Sequence, residues 1–272
     1  MSITAIRPGP TVSDLVGRLA TVPGLVRPGI SSWDMTTRLP LHPLAVESAY
    51  GDPGLLHDMA VSGAGFADRL EVEVIVGAET GGIPLAAAVS LAGGLPFAFA
   101  RKPGYVGHEE HEPRVRGAAV AGRRVLLVDD AVSSGHAVEE FVNELRGEGA
   151  SVVGVFTVVD MRDVAASVTP TAAALPTASI ATYLEVLAAA TDLGVLDPAV
   201  HDLAVDALIH HWSDDDPRWS LLDRRPGQAA QTRRSSTTTP GRPGHSTGAS
   251  RGPRTRPLIT GPVAGPTQAV AA

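Results

Sequence analysis

Four short, mostly apolar runs limit what this chain can become: Val72–Gly77 (VEVIVG), Pro96–Ala100, Arg124–Asp129 (RVLLVD) and Ser151–Val159 (SVVGVFTVV). They are near-continuous rather than alternating, so each calls for cover on both faces. Stretches of helical spacing separate them, Gly81–Leu91 and Glu139–Arg146, with Gly147 and Gly149 marking the turn before the last run. Such alternation predicts an α/β architecture, a parallel sheet with helices on both faces. Ligands of parallel sheets gather beyond the carboxyl ends of the strands. That rule selects four loops: Ala78–Gly82, Arg101–Arg116, Asp130–His136 and Asp160–Asp163.

Composition narrows the chemistry. The 272 residues are 44% hydrophobic, ample for a core, and contain no cysteine. Thiol nucleophiles, disulfides and thiolate metal sites are thereby excluded, and with them a cysteine-dependent glutaminase. The formal charge of −7 argues against a general grip on nucleic acid. No apolar run reaches the roughly 18 residues of a membrane span, and the N-terminus lacks a signal pattern, so the expectation is a cytoplasmic protein with no membrane partner. Charge is unevenly spread, since Arg224–Ala272 carries eight Arg and no Asp or Glu. That stretch has almost nothing to bury, so residues 214–272 are expected to be a disordered basic tail, the one place where nucleic acid would be touched. Residues 1–54 show weak periodicity with one helix at Val12–Ala20, and read as a small N-terminal hood. Residues 55–213 then form the core, closed by helices at Ala181–Leu193 and Val200–Trp212.

The loop after the third run carries the chemistry. In Val125-Leu126-Leu127-Val128-Asp129-Asp130-Ala131-Val132-Ser133-Ser134-Gly135-His136-Ala137, two acids end a buried strand and a hydroxyl-rich turn enters a helix. A helix start offers backbone N–H groups and a positive dipole end to a phosphate. Ser133 and Ser134 add hydroxyl donors, and Gly135 lets the backbone come close. Asp129 and Asp130 beside such a cup can accept hydrogen bonds from vicinal sugar hydroxyls, and the whole suits a ribose 5-phosphate. A plain strand-to-helix turn explains the adjacent acids poorly, because carboxylates after four apolar residues are costly to bury.

The run VLLVDDAVSSGHA resembles the phosphoribosyl-pyrophosphate fingerprint of type I phosphoribosyltransferases. The resemblance implies that Asp129 and Asp130 hold the ribose hydroxyls. It also implies that the backbone of Val132, Ser133, Ser134, Gly135, His136 and Ala137 holds the 5-phosphate, with both Ser hydroxyls. His136 departs from the pattern, where small or hydroxyl residues are commoner, and its side chain can point outward without harm. The segment VGAETGGIPLA, with Glu79, Thr80 and Gly81, is similar to the pyrophosphate loop of the orotate branch, and Arg101-Lys102 to the basic pair that meets pyrophosphate. Val158-Val159-Asp160 and LEVLAAATDLGVLDP are similar to further segments of that branch. Together the likeness spans roughly residues 30–210.

Lys102 is the only lysine beside 21 arginines, and it falls in the loop predicted to face pyrophosphate. A compact ammonium differs from a guanidinium in geometry and hydration, so it is a candidate catalytic residue with Asp129 and Asp130. Two departures bear on the acceptor. The orotate branch has a second, catalytic lysine further along the loop; here Tyr105 stands near its place, and His108, His111, Arg114 and Arg116 are the candidate replacement cations. After Asp160 the branch has an arginine for the orotate carboxylate, whereas this chain has Met161 and then Arg162. The family likeness implies a homodimer using Mg²⁺ that joins phosphoribosyl pyrophosphate to a nucleobase, with orotate first. A purine such as adenine and a non-catalytic sensor of phosphoribosyl pyrophosphate stay open as alternatives.

Overall fold

The computed structural model describes residues 11–26, 31–32, 40–41, 44–102, 113–165 and 168–210. Chain contacts divide the protein into Met1–Gln231 and Thr232–Ala272, and every described residue belongs to the first unit. The expected basic tail, His108 and Tyr105 lie outside the described residues.

Local chemistry explains the element starts. Helix α1 (Val12–Ala20) opens on a reciprocal cap in which Thr11 Oγ1 accepts the Asp14 N–H and the Asp14 carboxylate accepts the Thr11 N–H. A two-residue ribbon, β1 (Ser31–Ser32) with β2 (Pro40–Leu41), precedes a 3-10 turn at Val46–Gly51. Helix α2 (Pro53–Arg69) starts where Asp52 accepts the Leu55 N–H at 2.9 Å and Pro53 takes the first helical position. Then follow β3 (Val74–Ala78), α3 (Gly82–Gly93), β4 (Phe97–Ala100), β5 (Val115–Gly117), β6 (Arg124–Val132), α4 (His136–Gly147) and β7 (Ser151–Asp160). The described chain closes with α5 (Pro170–Ala174), β8 (Thr177–Thr182), α6 (Tyr183–Asp192) and α7 (Pro198–His210).

The sheet order is β5-β4-β3-β6-β7-β8, parallel throughout except for antiparallel β5 at one edge. This is the doubly covered parallel sheet expected from the sequence. Successive residues of the central strands feed opposite cores. Ile75, Leu126 and Val128 pack with α1, α2, α3 and α6 on one face. Val74, Val76, Val125 and Leu127 pack with Val138, Phe141 and Leu145 of α4 on the other. Central β3 and β6 therefore have no polar face, and their carboxyl ends converge where the chain must turn into α3 and α4.

One boundary differs from expectation in a way that matters. β6 runs on through Val132, so Asp129 and Asp130 sit within the strand, with Asp129 registered against Thr157 and Val132 against Asp160 of β7. The pairing with β7 continues past the acids and holds their backbone in extended form. Among the described residues, no helix is long and apolar enough to cross a membrane.

Candidate functional site

At the carboxyl ends of β3, β4 and β6 lies a cleft of about 440 Å³. Its walls are Glu79, Thr80 and Gly81 from the β3–α3 loop, Lys102 beyond β4, and the continuous segment Asp129–Val138 with Phe141. Three loops chosen from the strand-end rule thus meet in one place.

Alternation along β6 sends the two acids in different directions. Asp129 is 8% exposed, whereas Asp130 is partly buried. The Asp129 carboxylate accepts the Asp130 N–H at 2.9 Å, and the Asp130 carboxylate accepts the Ala131 N–H at 2.8 Å. Burial and then the neighbouring Asp130 charge push Asp129 well above the usual carboxylate range, with Lys102 pulling the other way. The pair is a concentration of negative charge that invites hydroxyl donors or a cation.

The β3–α3 loop is fastened at both ends. Glu79 donates its N–H to the Ala100 carbonyl at 3.0 Å, and its carboxylate accepts the Lys102 N–H at 2.8 Å. Glu79, expected to face substrate, thereby also fixes the chain at Lys102, whose side chain is exposed to the cleft. The Glu79–Thr80 peptide is cis. Gly81 and Gly82 lie against β6: a Cβ on Gly81 would stand 2.2 Å from Asp130 Oδ2, and one on Gly82 2.3 Å from the Val128 carbonyl oxygen. Tyr50, which carries no local sequence signal, donates its hydroxyl to the Gly81 carbonyl at 2.9 Å from 31 residues away.

The turn from Val132 to Ala137 wraps the start of α4. Gly135 has φ +83°, the left-handed region, and no side chain caps the helix. As at any helix start, the first N–H groups have no carbonyl inside the helix to pair with. A Cβ on Gly135 would lie 2.3 Å from Ala172 Cβ, so glycine at this turn also makes room for α5. Thr169 holds the turn, its N–H donating to the Ser134 carbonyl at 2.8 Å and its hydroxyl to the Gly135 carbonyl at 3.3 Å. The two serines diverge, Ser133 partly buried and Ser134 4% exposed. His136 is exposed, its Nδ1 lies 2.8 Å from Ser134 Oγ, and the residue lines the cleft.

Arg101 and Arg162 are not in the cleft wall. Arg101 leads into it, its N–H donating to the Arg114 carbonyl at 3.0 Å. Arg162 lines a separate depression at the ends of β7 and β8, where it pairs with Asp160. Met161, at the position where the sequence lacks an arginine, is buried in the core and donates its N–H to the Val132 carbonyl at 2.7 Å.

A sequence profile for the phosphoribosyl transferase domain matches residues 65–169, which takes in all three cleft loops. The chain is 38% identical over 115 residues to an orotate phosphoribosyltransferase of Methanocorpusculum labreanum, covering 42% of this chain and 64% of the relative. It is 31% identical over 130 residues to a hypoxanthine/guanine phosphoribosyltransferase of Methanospirillum hungatei, covering 44% of this chain and 71% of the relative. The match to this orotate relative thus spans less than two thirds of its length. Among solved structures, Leishmania donovani UMP synthase is similar with a TM-score of 0.60 at 20% identity, over 76% of this chain and 44% of that one. An orotate phosphoribosyltransferase from Aeropyrum pernix is similar with a TM-score of 0.53 at 23% identity, over 66% of this chain and 99% of that one. At such identities the structural likeness is one of fold.

Proposed function

Because the chain belongs to the phosphoribosyltransferase family, we propose that it transfers the 5-phosphoribosyl group of phosphoribosyl pyrophosphate to orotate, giving orotidine 5-monophosphate and pyrophosphate in pyrimidine nucleotide synthesis. The observation that carries this reading is the meeting, in one cleft, of adjacent strand-end carboxylates, a helix-start cup and the chain's single lysine. Similarity to orotate phosphoribosyltransferases supports orotate as the acceptor.

In this reading the Val132–Ala137 backbone and the Ser133 hydroxyl hold the 5-phosphate, using the N–H groups and dipole of α4. Asp129 and Asp130 accept hydrogen bonds from the ribose hydroxyls and fix the anomeric carbon. The Glu79–Gly82 loop and Lys102 receive the pyrophosphate. The bond from the anomeric carbon to pyrophosphate breaks with its electron pair leaving on pyrophosphate; the base nitrogen forms the new bond and gives up its proton. Positioning and fixed charge carry the catalysis, since positive charge develops on the sugar and negative charge on the departing group. The carboxylate oxygens of Asp129 and Asp130 are hard donors at the cleft wall and suit Mg²⁺ held together with the sugar donor. Bound there, Mg²⁺ would supply charge neutralisation for pyrophosphate. The same reading makes the protein a cytoplasmic homodimer.

Two observations favour a purine acceptor as a second reading: Arg162 is engaged by Asp160, and the hypoxanthine/guanine relative is matched over 71% of its length. The test is pyrophosphate release from phosphoribosyl pyrophosphate and Mg²⁺ with orotate, uracil, adenine, hypoxanthine, guanine or xanthine, the Asp129→Asn/Asp130→Asn double variant serving as blank. Turnover with orotate is expected. Turnover with a purine alone would replace the acceptor, and donor binding without turnover would make the protein a sensor.

A further inference from the structure

We infer that Tyr50 is a positioning residue for this site: by holding the Gly81 carbonyl, its hydroxyl sets the backbone of the Glu79–Gly82 loop for the pyrophosphate end of the donor. The inference rests on the phosphoribosyl-transfer reading and adds to it a residue from outside the three cleft loops.

The geometry begins with what Gly81 lacks. Gly81 is the N-cap of α3 and has no side chain to bond the first helical N–H groups, so the local hold on the entrance of the helix is a long backbone bond, the Ile83 N–H donating to the Thr80 carbonyl at 3.3 Å. Nor can a capping side chain be placed there, because a Cβ would meet Asp130 Oδ2 at 2.2 Å. The loop must lie flat against Asp130 and be secured by its backbone. At its upstream end Glu79 does this, through its N–H to Ala100 and its carboxylate to the Lys102 N–H. At its downstream end the hold on the Gly81 carbonyl comes from Tyr50 at 2.9 Å.

Tyr50 is well placed to act as a fixed post. It belongs to the 3-10 turn Val46–Gly51, whose Val46 and Ala49 are buried in the same core as Leu55 and Leu85. Leu85 lies one turn into α3, so the post and the helix it holds share one packed body. Burial, then the charges of Asp130, Asp129 and Glu47, push the phenol above its ordinary range, which keeps it a neutral donor at working pH. Through one glycine, Tyr50 therefore governs both the loop and the space left to Asp130.

The experiment compares the full-length protein with Tyr50→Phe, which keeps the ring and removes the donor. Calorimetric binding of inorganic pyrophosphate with Mg²⁺ should weaken about tenfold in the variant, while ribose 5-phosphate, a probe of the α4 cup, should bind within about twofold of the parent. Hydrogen exchange at the Gly81–Ile83 amides, read without ligand, should speed up about tenfold while exchange in β7 is unchanged. Unchanged pyrophosphate affinity, or an equal loss for both ligands, overturns the positioning role. Failure of the parent protein to bind pyrophosphate at all would overturn the phosphoribosyl reading itself, and the role of Tyr50 with it.

Discussion

Arg162 closes a two-pronged ion pair on Asp160. Its Nε donates to the two carboxylate oxygens at 3.0 and 3.1 Å, Nη2 donates to Oδ2 at 2.6 Å, and Nη1 donates to the Ala172 carbonyl at 2.9 Å. The guanidinium therefore ties the end of β7 to α5, the helix that presses on Gly135. Arg162→Ala should lower stability by about 2 kcal/mol in urea unfolding, since both partners are mostly buried and the carboxylate would be left without its fork. Arg162→Lys should recover only part of this, because an ammonium cannot span both oxygens and the carbonyl. A loss below about 0.5 kcal/mol would show that the pair behaves as an ordinary surface bridge.

Asp129 contributes a pH dependence of definite sign. Burial and Asp130 raise its carboxyl above the ordinary value of 3.8, so the folded state binds the proton more tightly than the unfolded chain. Stability from this group is therefore present at low pH and declines as pH rises above about 3.8 towards the folded value. Asp129→Asn keeps an oxygen to accept the Asp130 N–H and removes the charge. It should flatten the fall in unfolding free energy between pH 4 and neutrality, and make the protein more stable than its parent at neutral pH. Turnover should drop by at least about a hundredfold in the same variant. A neutral-pH destabilisation by Asp129→Asn would contradict this account of the buried charge.

Sequence legibility followed the apolar signal. β3, β4, β6 and β7 were readable because both faces are covered and the runs are continuous. β8 (TASIAT) was not, since it is an edge strand of small and hydroxyl residues in which only Ile180 and Ala181 are buried. Helix α2 shows little helical periodicity because Gly54, Gly63 and Gly65 dilute its pattern, although Asp52-Pro53 at its start is a capping signal. Gly63 is needed where α2 meets the sheet: a Cβ there would lie 2.7 Å from Val89 and 2.8 Å from Phe156. At the site, the loops could be named because strand ends dictate them. Tyr50 and Thr169 could not, because contacts across 31 and 34 residues leave no local pattern.

Lys102 is exposed, and its backbone rather than its side chain is held, by Glu79. Its ammonium is therefore free of a structural duty among the described contacts, and removing it should separate catalysis from folding. Lys102→Ala should leave the melting temperature within about 1 °C and lower turnover by about a hundredfold or more. Lys102→Arg should rescue only part of the rate if a compact charge is required. Full activity in Lys102→Ala would remove this residue from the chemistry.

Gly135 joins the stability of the fold to the shape of the phosphate cup. Its φ of +83° strains any residue with a Cβ, and that Cβ would also stand 2.3 Å from Ala172 Cβ and 3.0 Å from Thr169 Oγ1. Two separate penalties therefore act on Gly135→Ala, backbone strain of about 1 kcal/mol and a steric overlap that only movement of α5 can relieve. Moving α5 would disturb both bonds from Thr169, to Ser134 and to Gly135, which hold the turn in place. The expected result is a loss of about 3 kcal/mol in urea unfolding, together with weakened binding of ribose 5-phosphate. Trimming the neighbour with Ala172→Gly should restore most of the steric part and leave the strain. If the double variant is no more stable than Gly135→Ala alone, backbone conformation rather than contact with α5 dictates glycine at this turn.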